Sequence, residues 1–199
     1  LAVLPADQRG QLVARLAESG HCDIVQRQIG ASPTSAGDLR ALGRCAMPGQ
    51  PGSAVVYYQA ALAKGDTAAR LPLAYALDAA GDPAGALRIW RSVPDAELDD
   101  SARLTAARDA LAVQDNAAAE RYWQQAKRRG ADDWALGANI ATGRKDDREA
   151  LARQRQALQN QPEAAHFYAA AGTAQLAGDS AQSTAWLAEA VRREPDNPR

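Results

Sequence analysis

Two cysteines, two histidines and three Asp-Asp pairs are the residues of this sequence whose types and spacing invite chemistry. Cys22 and Cys45 stand 23 residues apart. They sit at helix ends that an up-down array places on the same side, which suits a disulfide. Two reduced thiols, packed as small apolar groups, fit the same spacing. A bridge would stabilise the fold by about 3 kcal/mol through the loop it closes. A zinc site lacks two ligands of the right kind, and a thiol nucleophile has only His21 beside Cys22 as a base. Asp99-Asp100, Asp132-Asp133 and Asp146-Asp147 have the composition of proton-sharing or metal-holding pairs. Each stands at an expected helix start, where a carboxylate caps free amides and complements the helix dipole. His166 lies beside Phe167 with no Ser or Cys partner motif, and reads as a packed or surface residue. The sequence has no phosphate loop, no GxSxG and no HExxH. It therefore indicates neither enzyme, metal nor cofactor.

Basic residues gather in one stretch: Lys127, Arg128, Arg129, Arg144, Lys145, Arg148, Arg153 and Arg155. Five acids in the same stretch leave a small surplus, which reads first as a solvated helix face. Some of these cations are expected to satisfy carbonyl ends of helices, and an acidic partner is the alternative. The net charge of −1 argues against the basic footprint of a nucleic-acid binder.

The elements that must position these residues are helices. Of 199 residues 48 are alanine, while Phe and Met occur once each, so no thick core of large side chains can form. Alanine recurs at intervals of three and four, the helical period, and no stretch alternates convincingly enough for a strand. Helices are expected over 6–18, 22–29, 35–46, 52–64, 67–80, 83–92, 99–113, 116–129, 132–142, 147–160, 163–177 and 180–193. Pro72 is awkward within 67–80, and a helix starting near Leu71 with Pro72 in its first turn accommodates it. The short breaks make neighbours antiparallel, so the chain is a string of hairpins. No apolar run approaches the ~20 residues that span a bilayer, and no signal-type stretch opens the chain. It begins at Leu1 rather than Met and is read as a segment of a longer protein.

The hairpins repeat. Small residues recur at Ala54, Ala86, Ala119, Ala150 and Ser183, spaced by 32, 33, 31 and 33. Seven residues beyond each stand Ala61, Val93, Ala126, Ala157 and Ala190. Bulky residues fall between as Tyr58, Trp90, Trp123 and Leu187, and Pro162 and Pro195 close two units. Gly81-Asp82 and Gly178-Asp179 mark equivalent turns, with Asp115 and Lys145-Asp146 in the same place between them. Gly43 lies in a first helix where the other units carry Ala, and Trp134 and Phe167 open two units. A period near 34 with two helices resembles the tetratricopeptide repeat. The expected fold is all-α, a right-handed solenoid of about twelve helices. A degenerate hairpin over 1–30 precedes about five repeats within 31–199, at 35–64, 67–93, 99–129, 132–160 and 163–193. First helices line the concave side of such solenoids. By helical phase Tyr75, Asp78, Arg108, Asn139, Tyr168 and Gln175 are the candidates to face a peptide, polymer or protein there.

A finer resemblance rests on an ordered series. It comprises Leu4-Pro5, His21-Cys22-Asp23-Ile24-Val25, Arg44-Cys45-Ala46, Pro51-Gly52-Ser53-Ala54-Val55, Tyr58-Gln59-Ala60, Ala79-Ala80-Gly81, Trp90, and the run from Trp123 through Gly130. This series is similar to the periplasmic repeat region of the bacteriophage adsorption protein A family (NfrA). The resemblance implies a periplasmic, non-enzymatic segment of an outer-membrane protein that acts in surface polysaccharide export and phage adsorption. It implies as partners an inner-membrane glycosyltransferase machinery or the nascent glycan, a phage adsorption protein, and the protein's own C-terminal outer-membrane barrel. The periplasmic setting it implies favours the Cys22–Cys45 disulfide. A generic adaptor gripping a peptide or partner protein in its groove is the other expectation.

Overall fold

The computed structural model describes residues 6–30, 33 and 35–194. Among them are twelve α-helices and no strand. Two compact units divide the chain, Leu1–Glu97 and Leu98–Arg199. The first holds α1 (Ala6–Glu18), α2 (Cys22–Ile29), α3 (Ala36–Ala46), α4 (Pro51–Ala63), α5 (Arg70–Ala79) and α6 (Pro83–Trp90). The second holds α7 (Asp100–Ala112), α8 (Asn116–Gln125), α9 (Ala131–Gly143), α10 (Asp147–Asn160), α11 (Ala164–Leu176) and α12 (Ser180–Arg193). The expected 67–80 helix is split: a 3-10 turn at Thr67–Ala69 leads into α5, with Pro72 in its first turn, where the missing N–H breaks no helical bond.

One turn design joins four hairpins. Two residues before the second helix the backbone is left-handed, at Gly81, Gln114, Lys145 and Gly178, with φ of 78°, 62°, 61° and 76°. The next residue is an aspartate whose carboxylate accepts the N–H three residues on. Asp82 takes Gly85, Asp115 takes Ala118, Asp146 takes Glu149 and Asp179 takes Gln182, at 2.8–3.0 Å. The left-handed residue ends one helix and the aspartate starts the next, so a three-residue loop reverses the chain.

The small residues sit where helices cross. Ala54, Ala86, Ala119 and Ala150 are fully buried, as are Ala61, Ala126, Ala157 and Ala190. The bulky positions Tyr58, Trp90 and Trp123 are 2%, 0% and 4% exposed. Two positions in this series differ from expectation. Leu187 is 43% exposed because no helix follows α12 among the described residues to cover it. Between Trp123 and Leu187 the position is taken by a polar residue, Gln154, itself 1% exposed. Pro195 lies outside the described residues, as does Leu4-Pro5.

The segment after Trp123 shows why the expected 116–129 helix stops at Gln125. Asp100, at the start of α7, accepts the N–H groups of Lys127 at 2.9 Å and Arg128 at 3.1 Å. These two donors hold its carboxyl below the ordinary carboxylate range. Arg129 meanwhile donates to the carbonyls of Trp123 and Gln124 at 2.7 and 3.0 Å. The last carbonyls of α8 and the amides beyond it thus find side-chain partners, and Ala126 turns extended.

Candidate functional site

In the first unit the first helices α1, α3 and α5 wall a cavity of about 650 Å³. Their alanines make the room: Ala14 and Ala17 from α1, Ala41 from α3, and Ala79 from α5. Leu71 and Pro72 line the α5 side and Met47 the end of α3. The α1–α2 hairpin is held to α3 by an apolar cluster of Val13, Ala17, Val25, Ile29, Ala41 and Leu42. It is also held by a disulfide from Cys22 to Cys45, with Cα atoms 5.4 Å apart. That bridge leaves no free cysteine among the described residues, which removes the thiol nucleophile.

Polar groups stand at defined places on this groove. Tyr75 and Asp78, two of the six phase candidates, line it from α5. The Tyr75 ring meets Trp90 edge-on at 5.0 Å. Arg40 and Arg44, one turn apart on α3, line it too, together with Glu18 and Tyr58. The phase reasoning left these four out, although the 40/44 spacing on a first helix is itself a legible signal. Tyr58 packs so tightly beneath α3 that a Cβ on Gly43 would lie 2.7 Å from its ring. Burial raises the pKa of the Tyr58 hydroxyl, while the charges of Arg44 and Arg40 pull it back.

The remaining phase candidates lie in the second unit. Arg108, Asn139 and Gln175 are exposed on α7, α9 and α11. Tyr168 is half-buried, and its hydroxyl is buried without a hydrogen-bond partner.

The acid pairs act as caps and clamps. Asp99 accepts the N–H of Ala102 at 2.7 Å, Asp146 caps α10, and Asp133 accepts the N–H of Gly130 at 2.8 Å. Asp132 contacts Nε2 of His166 at 3.1 Å, with His166 buried. Among the described residues no group of three or more His, Cys, Asp or Glu could hold a metal ion.

Six of the eight cations of the basic stretch are exposed, as a solvated face requires, and two are not. Arg153 is 4% exposed, and its Nη1 and Nη2 donate to the two oxygens of Glu120 at 2.8 and 2.7 Å. Its guanidinium carbon lies 4.0 Å from the centre of the Trp123 ring, and that of Arg129 lies 4.1 Å from it. Trp123 in turn donates its indole N–H to the carbonyl of Asp133 at 2.7 Å and meets Trp134 edge-on at 5.4 Å. Arg153 and Arg129 are therefore packing elements, while Lys127, Arg128, Arg144, Lys145, Arg148 and Arg155 are exposed.

Hairpins of this period, crossed on alanine and joined by a left-handed residue and a capping aspartate, define a fold of the tetratricopeptide-repeat type. The solved structures similar to this chain share it. MamA from Desulfovibrio magneticus RS-1, residues 41 to the end, superposes with a TM-score of 0.70 at 15% identity, over 94% of this chain and 98% of that one. YrrB, described as a TPR protein with an unusual peptide-binding site, gives 0.70 at 15% identity over 91% and 95%. A tetratricopeptide repeat protein from Parabacteroides merdae ATCC 43184 gives 0.68 at 14% identity over 94% and 80%. No protein-family model matches the chain, and no curated protein matches its sequence. At these identities the likeness is one of fold.

Proposed function

We propose that the chain is a non-enzymatic binding module whose first unit receives an extended segment of a partner protein between α1, α3 and α5. The observation that carries this reading is the cavity of about 650 Å³, open between three helices and walled by alanines, Leu71, Pro72 and Met47 with charged groups among them. A single peptide strand with short aliphatic side chains fits such a channel without a core having to be rebuilt. The likeness to YrrB, itself described by a peptide-binding site, supports the ligand class. Selection of a random-peptide phage library on the purified chain tests it. Enriched peptides should protect backbone amides of α1, α3 and α5 from hydrogen exchange. Failure to enrich any sequence, or protection confined to other helices, would sink the reading.

A second reading is favoured by the Cys22–Cys45 disulfide, which supports an oxidising compartment. With the resemblance to the bacteriophage adsorption protein A family, it supports a periplasmic segment of an outer-membrane protein. That segment would serve polysaccharide export and phage adsorption. Its partners would be an inner-membrane glycosyltransferase machinery or the nascent glycan, a phage adsorption protein and the protein's own barrel. No described helix is long and apolar enough to cross a membrane. Deleting the parent gene should abolish glycan export and phage sensitivity, and a deletion strain unchanged in both would refute this reading.

A further inference from the structure

The two guanidiniums of the groove hold unspent donors. Arg40 lies with Nε 3.3 Å from a carboxylate oxygen of Asp66, and its side chain remains 41% exposed. Asp66 is committed elsewhere as well, accepting the N–H of Ala68 at 3.2 Å. Arg44 approaches Glu18 only to 3.7 Å, beyond hydrogen-bond length, and both side chains are 58% exposed. An arginine offers five N–H donors in a planar fork matched to a carboxylate. Here two such forks stand one helical turn apart on α3, and both line the same cavity. Ala14, Ala17, Leu71 and Pro72 give the same cavity an aliphatic portion of wall, alongside the polar Glu18, Tyr58 and Tyr75. Asp78 lines the cavity from α5, where it repels a second anion.

We propose that the groove of the first unit selects an extended peptide carrying one Asp or Glu side chain flanked by aliphatic residues, with the carboxylate seated on Arg40 and Arg44. This rests on the peptide-binding reading above and names what that groove recognises. The incoming carboxylate takes the place that Glu18 holds loosely at Arg44, and forms shorter charge-assisted bonds than the 3.7 Å contact it replaces. The aliphatic neighbours of the acid lie on the alanine, leucine and proline wall and exclude water, which strengthens the ion pair. Asp78 sets the register, because the acidic side chain is accepted at the α3 wall and rejected at the α5 wall. An acidic polysaccharide presents carboxylates too, but sugar rings require an aromatic face to stack on. The Tyr58 ring is 2% exposed beneath Gly43, and the half-buried Tyr75 ring, which meets Trp90 edge-on, is left as the main aromatic surface of the groove. The aliphatic portion of the wall favours the peptide.

The test uses the whole chain with its disulfide intact. Peptides enriched from the phage library should share an Asp or Glu next to Leu, Ile or Val. In fluorescence anisotropy, replacing that acid by its amide should weaken binding about tenfold or more, and Arg44→Gln should do the same. The amide peptide should be insensitive to Arg44→Gln, because the same ion pair is already gone. Arg40→Gln should behave alike, while Arg44→Lys should retain part of the affinity. Both arginines are well exposed, and circular dichroism checks that each variant folds. Enriched peptides that lack an acid, or losses that simply add, would overturn the proposal and leave the peptide-binding reading standing. Preferential binding of oligogalacturonate over every enriched peptide would overturn it in favour of a glycan. Enrichment of no peptide at all would remove both.

Discussion

Arg153 carries its charge where water is almost absent, and the protein answers with carboxylates on two helices. Glu120 takes it bidentately, Glu149 accepts its Nε at 2.9 Å, and the carbonyl of Gly137 accepts Nη1 at 2.9 Å. Burial pushes the Glu120 carboxyl up. The hydrogen bonds and charge of Arg153, with Gln124 and Arg144, outweigh that and hold it below its ordinary value of 4.5. The folded value thus lies below the unfolded one. The contribution to stability is whole above about pH 4.5 and is lost as the pH falls through the folded value. Glu120→Gln leaves the Arg153 charge buried without its main counter-charge, and should cost about 3 kcal/mol in a denaturant melt at neutral pH. It should also flatten the acid side of the stability profile. Replacing both partners, Glu120→Leu with Arg153→Met, should lose less than the single variant. A larger loss would show that the pair is a net source of stability rather than a satisfied burden.

At the scale of elements, two features are open to test. Gln114 and Lys145 hold left-handed backbone that Gly81 and Gly178 hold in the equivalent turns. A Cβ in that region is disfavoured, and glycine loses more freedom on folding, so the net gain is modest. Gln114→Gly and Lys145→Gly should each raise stability by about 0.5–1 kcal/mol, seen as a higher melting temperature. In the second unit, Gly137 lets α9 rest directly on the Trp123 indole. That ring is pinned by its bond to Asp133 and by the two guanidiniums, so it has nowhere to retreat. Gly137→Ala should destabilise by about 1–3 kcal/mol despite the better helix propensity of alanine. An unchanged melting curve would show that α8 and α9 slide apart freely.

At the scale of the whole molecule, stability is distributed over hairpins, each dependent on its neighbours. The α1–α2 hairpin leans on α3 through a small apolar cluster and the disulfide. Replacing both cysteines by alanine should cost about 3 kcal/mol, from the loop no longer closed in the unfolded chain. Loss of hydrogen-exchange protection should concentrate in α1 to α3, with α9 to α12 unchanged. A uniform loss across both units would mean that the chain opens as one cooperative body.

Much of this molecule is written in local pattern. Alanine at intervals of three and four, Gly-Asp and Lys-Asp turns, and a recurrence of 31 to 33 residues specify helices, reversals and the repeat, because each is decided within a few bonds of backbone. The aspartate pairs could be read as caps for the same reason. What only the packed chain decided involves residues brought together across hairpins. Arg153 meets Glu120 from 33 positions away, Asp100 stops α8 from 27, and Cys22 finds Cys45. The pairing of Arg40 with Arg44 on a groove also needed α1 and α5 to form its other walls. A sequence shows that a charge or thiol lies on a helix; burial, and the group it meets there, depend on how closely the alanine-lined neighbours approach.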